Sequence, residues 1–172
     1  MSILKIRNVY QVLRGGAFPC QIVVRDGKIE TVAAADEAVA ADRTVDGNGN
    51  LIIPGMIDLH IHGAEGHDMM DGTAASVEAV SSACAKTGCT SFLATSVSSP
   101  LSELLRMIDG VKSVAGREPG AKIIGIHAEG PYLNVKQKGM QNEKFLRAPD
   151  LEEMETIRAA AGGLLKLVTL AP

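Results

Sequence analysis

The stretch Ile-Asp-Leu-His-Ile-His-Gly, residues 57–63, sets His60 and His62 one residue apart in a run that reads as a strand. Side chains at i and i+2 of a strand share a face. Asp58, His60 and His62 therefore form a row of titratable groups opposite the apolar row Ile57, Leu59 and Ile61. Buried imidazoles and a carboxylate without partners are costly, and a divalent cation removes that cost by bonding their lone pairs. A His-x-His pair alone is common on surfaces and in satisfied cores, so a second cluster has to decide. Gly-Ile-His-Ala-Glu-Gly-Pro, residues 125–131, supplies it by placing His127 and Glu129 on one face of another strand. Imidazole and carboxylate donors suit zinc, iron or manganese better than calcium. For His127 a second reading stays open, as a hydrogen-bonding neighbour of a ligand rather than a ligand.

The elements around these residues must bring both strand ends to one place. Residues 3–13 alternate apolar and polar side chains, and QIVVRDGKIETVA reads as a hairpin turning at Asp26-Gly27. VDGNGN (45–50) reads as a further turn cluster, so residues 1–53 form a small β-rich domain. From Pro54 the pattern becomes strand and helix in alternation. MIDLHIH is a strand, and Thr73 caps a helix that stops at Gly88. CTSFLATSV is a strand, and Ser99 caps a helix with Pro100 in its first turn. AKIIGIHAEG is a strand, followed by a loop from Pro131 to Pro149. Asp150 then caps LEEMETIRAAAGG, with Glu153 completing a capping box, before the strand LKLVTLAP.

Such βα alternation means a parallel sheet with helices outside it. In a barrel, strand C-termini open onto the active site and one sheet face looks into the lumen. The polar row is therefore expected to face inward, toward a metal. Four strands and three helices make half of a (β/α)8 barrel, a fold of ~250 residues. Residues 54–172 thus read as the first half of one, cut near its middle and expected to be association-prone by itself.

The 172 residues are 46% hydrophobic and 22% charged, with a net charge of -3. This balance provides no basic footprint for nucleic acid. Aromatics at 3% with no Trp exclude a base-stacking platform. Cys20, Cys84 and Cys89 form no C-x-x-C pair and read as buried free thiols of a reducing, cytoplasmic protein. No run reaches the ~18 apolar residues of a membrane helix. Lys5 and Arg7 interrupt the apolar start that a signal peptide would need.

PGMIDLHIHG, GHDMMDGT, TSFLATSVSSP, GIHAEGPYLNVKQKGMQNEKFL and VTLAP together resemble the N-acetylglucosamine-6-phosphate deacetylase family of the amidohydrolase superfamily. The first motif marks only the superfamily; H-x-E-G-P with the downstream K-G-x-Q points to the deacetylases. The resemblance implies a (β/α)8 metallohydrolase barrel with a small β-sandwich domain built from both chain ends. It implies hydrolysis of the acetamide of a phosphorylated amino sugar, one or two divalent ions (zinc or iron) and a homodimer. Glu129 matches the family's carboxylate ligand, and His60 and His62 match ligands of members with a second metal. Met140 and Gln141 match loop positions that contact the sugar, although many relatives carry His at the second.

The family's general base is an Asp on a late barrel strand, expected beyond Pro172 together with two further metal-binding His. No catalytic base is therefore assigned here: Asp58 reads as structural and Asp71 as a loop or cap residue. His67 reads as a loop histidine, and Met69, Met70, Met107 and Met154 as packing. Two other readings compete. One is another amidohydrolase, such as a dihydroorotase-like enzyme, which the HAEGP loop opposes. The other is an inactive fragment or metal-binding module, which the early end favours.

Overall fold

In the computed structural model, which describes residues 2–171, the alternating N-terminal segments fold as β1 (Ile3–Leu13), β2 (Gly16–Arg25), β3 (Lys28–Ala34) and β4 (Arg43–Ile52). They form one sheet in the order β3-β2-β1-β4, with β1 antiparallel to β2 and parallel to β4. Asp26 and Gly27 join β2 to β3 with φ of 49° and 79°, the two left-handed residues of a primed hairpin turn. The core beneath this sheet is small: Val9, Cys20 and Ile22, edged by Ile6, Val24 and Ile52. Among the described residues no second layer of a sandwich lies within this unit, which spans Met1–Pro54.

VDGNGN is not a turn between elements, as its composition predicts, because β4 runs straight through it. Arg7 faces Asp46 and Val9 faces Asn50, so the single residue Asn8 opposes three on β4. Asn8, Asn48 and Gly49 take left-handed φ to absorb the mismatch. The Asp46 carboxylate accepts from the backbone N–H of Asn48 at 2.9 Å and from Asn8 Nδ2 at 2.8 Å. The turn-forming residues are real, but they build an irregularity inside a strand.

The second unit spans Gly55–Pro172. It contains β5 (Met56–Ile61), the short hairpin β6 (Gly63–Ala64) and β7 (His67–Asp68), α1 (Ala74–Lys86) and β8 (Cys89–Thr95). After these come α2 (Leu101–Val114), β9 (Lys122–Leu133), α3 (Leu151–Ala161) and β10 (Leu165–Ala171). Strands β5, β8, β9 and β10 lie side by side in that order, each parallel to the next, as a curled half-barrel sheet. The end of the chain at Pro172 lies outside the described residues.

Helical periodicity aims Leu104, Met107, Ile108, Val111 and Val114 of α2 at the sheet. There they meet Phe92, Ile123 and Ile126, with Val77 and Val80 of α1 and Ile157 of α3. Met69 and Met107 are fully buried and Met70 and Met154 pack at the edge, as packing methionines should. Thr73 caps α1 through its side chain on Ser76 N. No helix among the described residues is long and apolar enough to cross a membrane.

Two expected caps differ. Pro100, not Ser99, is the N-cap of α2, and no side chain caps that end. Ser99 instead contributes its carbonyl, which accepts from the Arg147 guanidinium. Asp150 caps α3 by accepting from Glu152 N and Glu153 N, but Glu153 does not turn back to complete a box. Its carboxylate is taken by Arg147 and Tyr132. The Arg147 cation, six residues back in the chain, outcompetes the backbone N–H because the bidentate pair is charge-assisted.

Candidate metal centre

Three groups converge at the C-terminal ends of β5 and β9. His60 Nε2 lies 3.0 Å from His62 Nε2 and 2.9 Å from Glu129 Oε2. His62 Nε2 lies 3.0 Å from that same carboxylate oxygen, closing a triangle. Two imidazole lone pairs cannot face one another at that distance, so a proton or a cation must lie among the three atoms. Donors held about 2.0–2.1 Å from one divalent ion are about 2.9 Å apart at right angles and about 3.4 Å apart at the tetrahedral angle. The edges of the triangle match the right-angled spacing, and the donor set is one that zinc and other transition ions favour. His60, His62 and Glu129 therefore fit a divalent metal. His60 is exposed while His62 and Glu129 are half-buried, so the group opens to solvent on the His60 side.

β5 reaches this place through an irregularity in its pairing with β8. Asp58 faces Phe92 and Ile61 faces Ala94, so β5 carries one residue more than its neighbour over that interval. An extra residue orphans backbone groups, and side chains collect them. The Asp58 carboxylate accepts from His60 N at 2.9 Å. Thr95 Oγ1 accepts from Ile61 N at 3.1 Å. His127 Nδ1 lies 3.2 Å from the Leu59 carbonyl. Asp58 is thus occupied on the backbone and lies outside the triangle, and Asp71 is likewise occupied, accepting from Asp68 N at 3.0 Å.

His127 is buried and is not a member of the triangle. Its ring packs edge-on to His60 with centroids 4.9 Å apart. Burial, and then the neighbouring His60, holds its pKa below the ordinary histidine value. His67 sits exposed on β7, away from the group.

The loop after β9 separates the two residues that the sequence couples. Met140 is 78% exposed, whereas Gln141 is buried with its Oε1 accepting from Ser98 N at 2.7 Å. Both line a pocket of about 280 Å³ with Val97, Ser98, Ser99, Asn142 and Phe145. Gln141 Nε2 and Ser98 Oγ are buried there without a protein partner. The loop is anchored by Arg147, which donates to Glu153 at 2.9 and 2.6 Å and to the Phe145 carbonyl at 2.8 Å. That guanidinium holds the Glu153 carboxyl below its usual range.

The free cysteines belong to packing. Burial, and then Cys89 beside it, pushes the Cys84 thiol up to about 11, which is the setting of an inert thiol rather than a nucleophile. Sequence reasoning missed Thr95, Thr169 and Arg147. The first two stood in quoted motifs at the C-terminal ends of strands, which was the available signal.

A parallel sheet with helices outside and, at its strand C-termini, a His-His-Glu group that could hold a metal ion is the arrangement of a barrel-like hydrolase scaffold. Residues 51–172 match the Amidohydrolase family, and the chain belongs to it. It is similar to N-acetylglucosamine-6-phosphate deacetylase of Bacillus subtilis, 34% identical over 154 residues, which are 87% of this chain and 39% of that protein. The Vibrio furnissii protein of the same name is 34% identical over 166 residues, 94% of this chain and 41% of its own length. The crystal structure of N-acetylglucosamine-6-phosphate deacetylase from Pasteurella multocida superposes with a TM-score of 0.86 at 25% identity, covering 98% of this chain and 44% of that one. The chain thus spans about two fifths of the length of the curated relatives it matches.

Proposed function

We propose that this chain is part of an N-acetylglucosamine-6-phosphate deacetylase, built as a (β/α)8 barrel with a small β-sandwich domain. The observation that carries the reading is the triangle of His60, His62 and Glu129, with edges of 2.9 to 3.0 Å, in a chain whose relatives carry that activity. The three residues would hold one or two divalent ions, zinc or iron. When bound, the ion supplies Lewis-acid activation of an amide, which is otherwise a poor electrophile, and of the water that attacks it.

The chain's own residues do the positioning. Glu129 brings the negative charge that balances a cation beside two neutral imidazoles. Met140, exposed at the lip of its pocket, offers an apolar surface to a sugar ring, and the buried Gln141 holds the loop beside it through Ser98 N. Asp58 and Asp71 are committed to backbone N–H groups, so neither moves the proton from water to the leaving amine.

The test is a protein carrying this sequence within a chain of the relatives' length. It should hold a divalent metal and release acetate from N-acetylglucosamine 6-phosphate far faster than from the unphosphorylated sugar, because phosphate binding energy can orient the acetamide. Equal rates on the two sugars, or turnover of a cyclic ureide in their place, overturn the reading.

A further inference from the structure

His127 is the one buried histidine among the described residues, and all the hydrogen-bonding capacity of its ring is used. Its Nδ1 faces the Leu59 carbonyl at 3.2 Å, an atom that can only accept, so Nδ1 carries the hydrogen. Nε2 then presents a lone pair, and Thr169 Oγ1 donates to it at 2.7 Å. Thr95 Oγ1 sits at the margin of the same Nδ1, 3.5 Å away. One side chain on β9 thus grips β5, which is not its hydrogen-bonded neighbour, and β10 on the opposite side. The point it grips on β5 is the residue before His60, inside the irregular interval where the ladder leaves the backbone unpaired. Glu129 follows two residues along β9, and the His60 ring rests edge-on against the imidazole.

We propose that His127 is a positioning residue for the His60–His62–Glu129 group, set in its Nδ1–H tautomer by the Leu59 carbonyl and anchored on the other side by Thr169, so that it fixes the bulged end of β5. A ring free to take the other tautomer would present a lone pair to the Leu59 carbonyl and repel it. Thr169, whose hydroxyl turns to either role, completes the arrangement by donating to Nε2 from 2.7 Å on the far side. The role rests on the metal reading of the triangle, and supporting groups of this kind are commonly worth ~10–100-fold in metal affinity.

Two measurements on a protein carrying this sequence within a chain of the relatives' length separate the role from plain packing. The first is a long-range ¹H–¹⁵N correlation spectrum of the metal-free protein, with His127→Asn identifying the His127 signals. A protonated Nδ1 with a bare Nε2 is expected; the opposite tautomer overturns the proposal.

The second is calorimetric titration with Zn²⁺ alone, at a temperature well below melting. Thr169→Val, which keeps the shape and deletes the donor, should weaken binding about tenfold or more. His127→Asn, which retains a donor toward the Leu59 carbonyl, should weaken it less than His127→Leu, which retains none. A packing role alone would lower the melting temperature of these variants and leave zinc affinity unchanged, and that result overturns the proposal. If the unsubstituted protein fails to bind zinc, the metal reading falls, and the tautomer spectrum still decides whether His127 donates to the Leu59 carbonyl.

Discussion

Two of the interruptions of strand pairing, one between β1 and β4 and one between β5 and β8, are repaired in opposite ways. Between β1 and β4 the mismatch is absorbed by residues at the mismatch itself, with Asn8, Asn48 and Gly49 turning left-handed and Asp46 collecting the freed donors. Between β5 and β8 the freed groups are collected by side chains from elsewhere: Thr95 on β8 and His127 on β9, with only Asp58 local. A locally repaired irregularity is free to be exposed and independent of its surroundings. One repaired from neighbouring strands is tied to the sheet's curvature, so the backbone at His60 is placed by residues 34 and 68 positions away in sequence. That is how a fold holds a group to the tolerance a metal demands.

The comparison predicts that substitutions at the second irregularity disturb metal binding and those at the first do not. The largest effect is expected at Glu129 itself. Glu129→Ala removes the only anionic donor of the triangle and should abolish measurable zinc binding, a loss beyond the ~10–100-fold that a supporting residue costs. Titration with zinc, with the fold monitored by circular dichroism, checks it. Unchanged affinity in a folded variant would break the assignment of the triangle.

Thr95→Val comes next. It leaves Ile61 N buried beside a methyl group, at an expected cost of about 1–3 kcal/mol. Urea denaturation reads the stability loss and zinc titration the accompanying loss of affinity. Stability lost with affinity intact would show that β5 can hold His60 without its cross-sheet tether.

The difference between the two repairs also explains what could be read in advance. Strands, helices, the Asp26-Gly27 turn and the Thr73 cap all depend on neighbours in sequence, and their residue types announce them. The two clusters His60/His62 and Glu129 were legible for the same reason, since each is a short motif at a strand end. Their convergence followed from βα alternation, which brings successive strand C-termini to one side. Ser99 and Glu153 misled because both are good cap residues whose partners are decided by Arg147, a residue remote from Ser99. VDGNGN misled because left-handed residues serve a bulge as well as a turn. Thr95 and Thr169 look like ordinary strand threonines until their partners across the sheet are known.

A third prediction concerns the loop after β9, which is held by a long-range tether but outside the triangle. Glu153 has a depressed pKa in the fold, with the Arg147 hydrogen bonds as the largest cause. A depressed carboxyl contributes stability that is fully present above its unfolded value of 4.5 and is lost as pH falls through the lower folded value. Glu153→Gln should therefore lower stability at pH 7 by about 2 kcal/mol and flatten the decline of stability below pH 4.5. Zinc affinity should change little. Denaturation midpoints measured from pH 3 to pH 7 decide it; parallel curves for the two proteins would remove Glu153 from the acid response.

The smallest effect is expected at the locally repaired irregularity. Gly49 has φ of 72°, and a Cβ placed there meets nothing within 4 Å, so Gly49→Ala incurs backbone strain and no collision. The left-handed region costs a residue with a Cβ about 1–2 kcal/mol. Replacing Gly also stiffens the unfolded chain, which returns about 0.4–1 kcal/mol, and the net loss should be near 1 kcal/mol or less. Zinc affinity should equal that of the unsubstituted chain, because no side chain from the β1/β4 irregularity takes part in the triangle. A change of affinity in Gly49→Ala comparable to that in Thr95→Val would dissolve the contrast, since a local repair would then be transmitting to the metal group as strongly as a cross-sheet one.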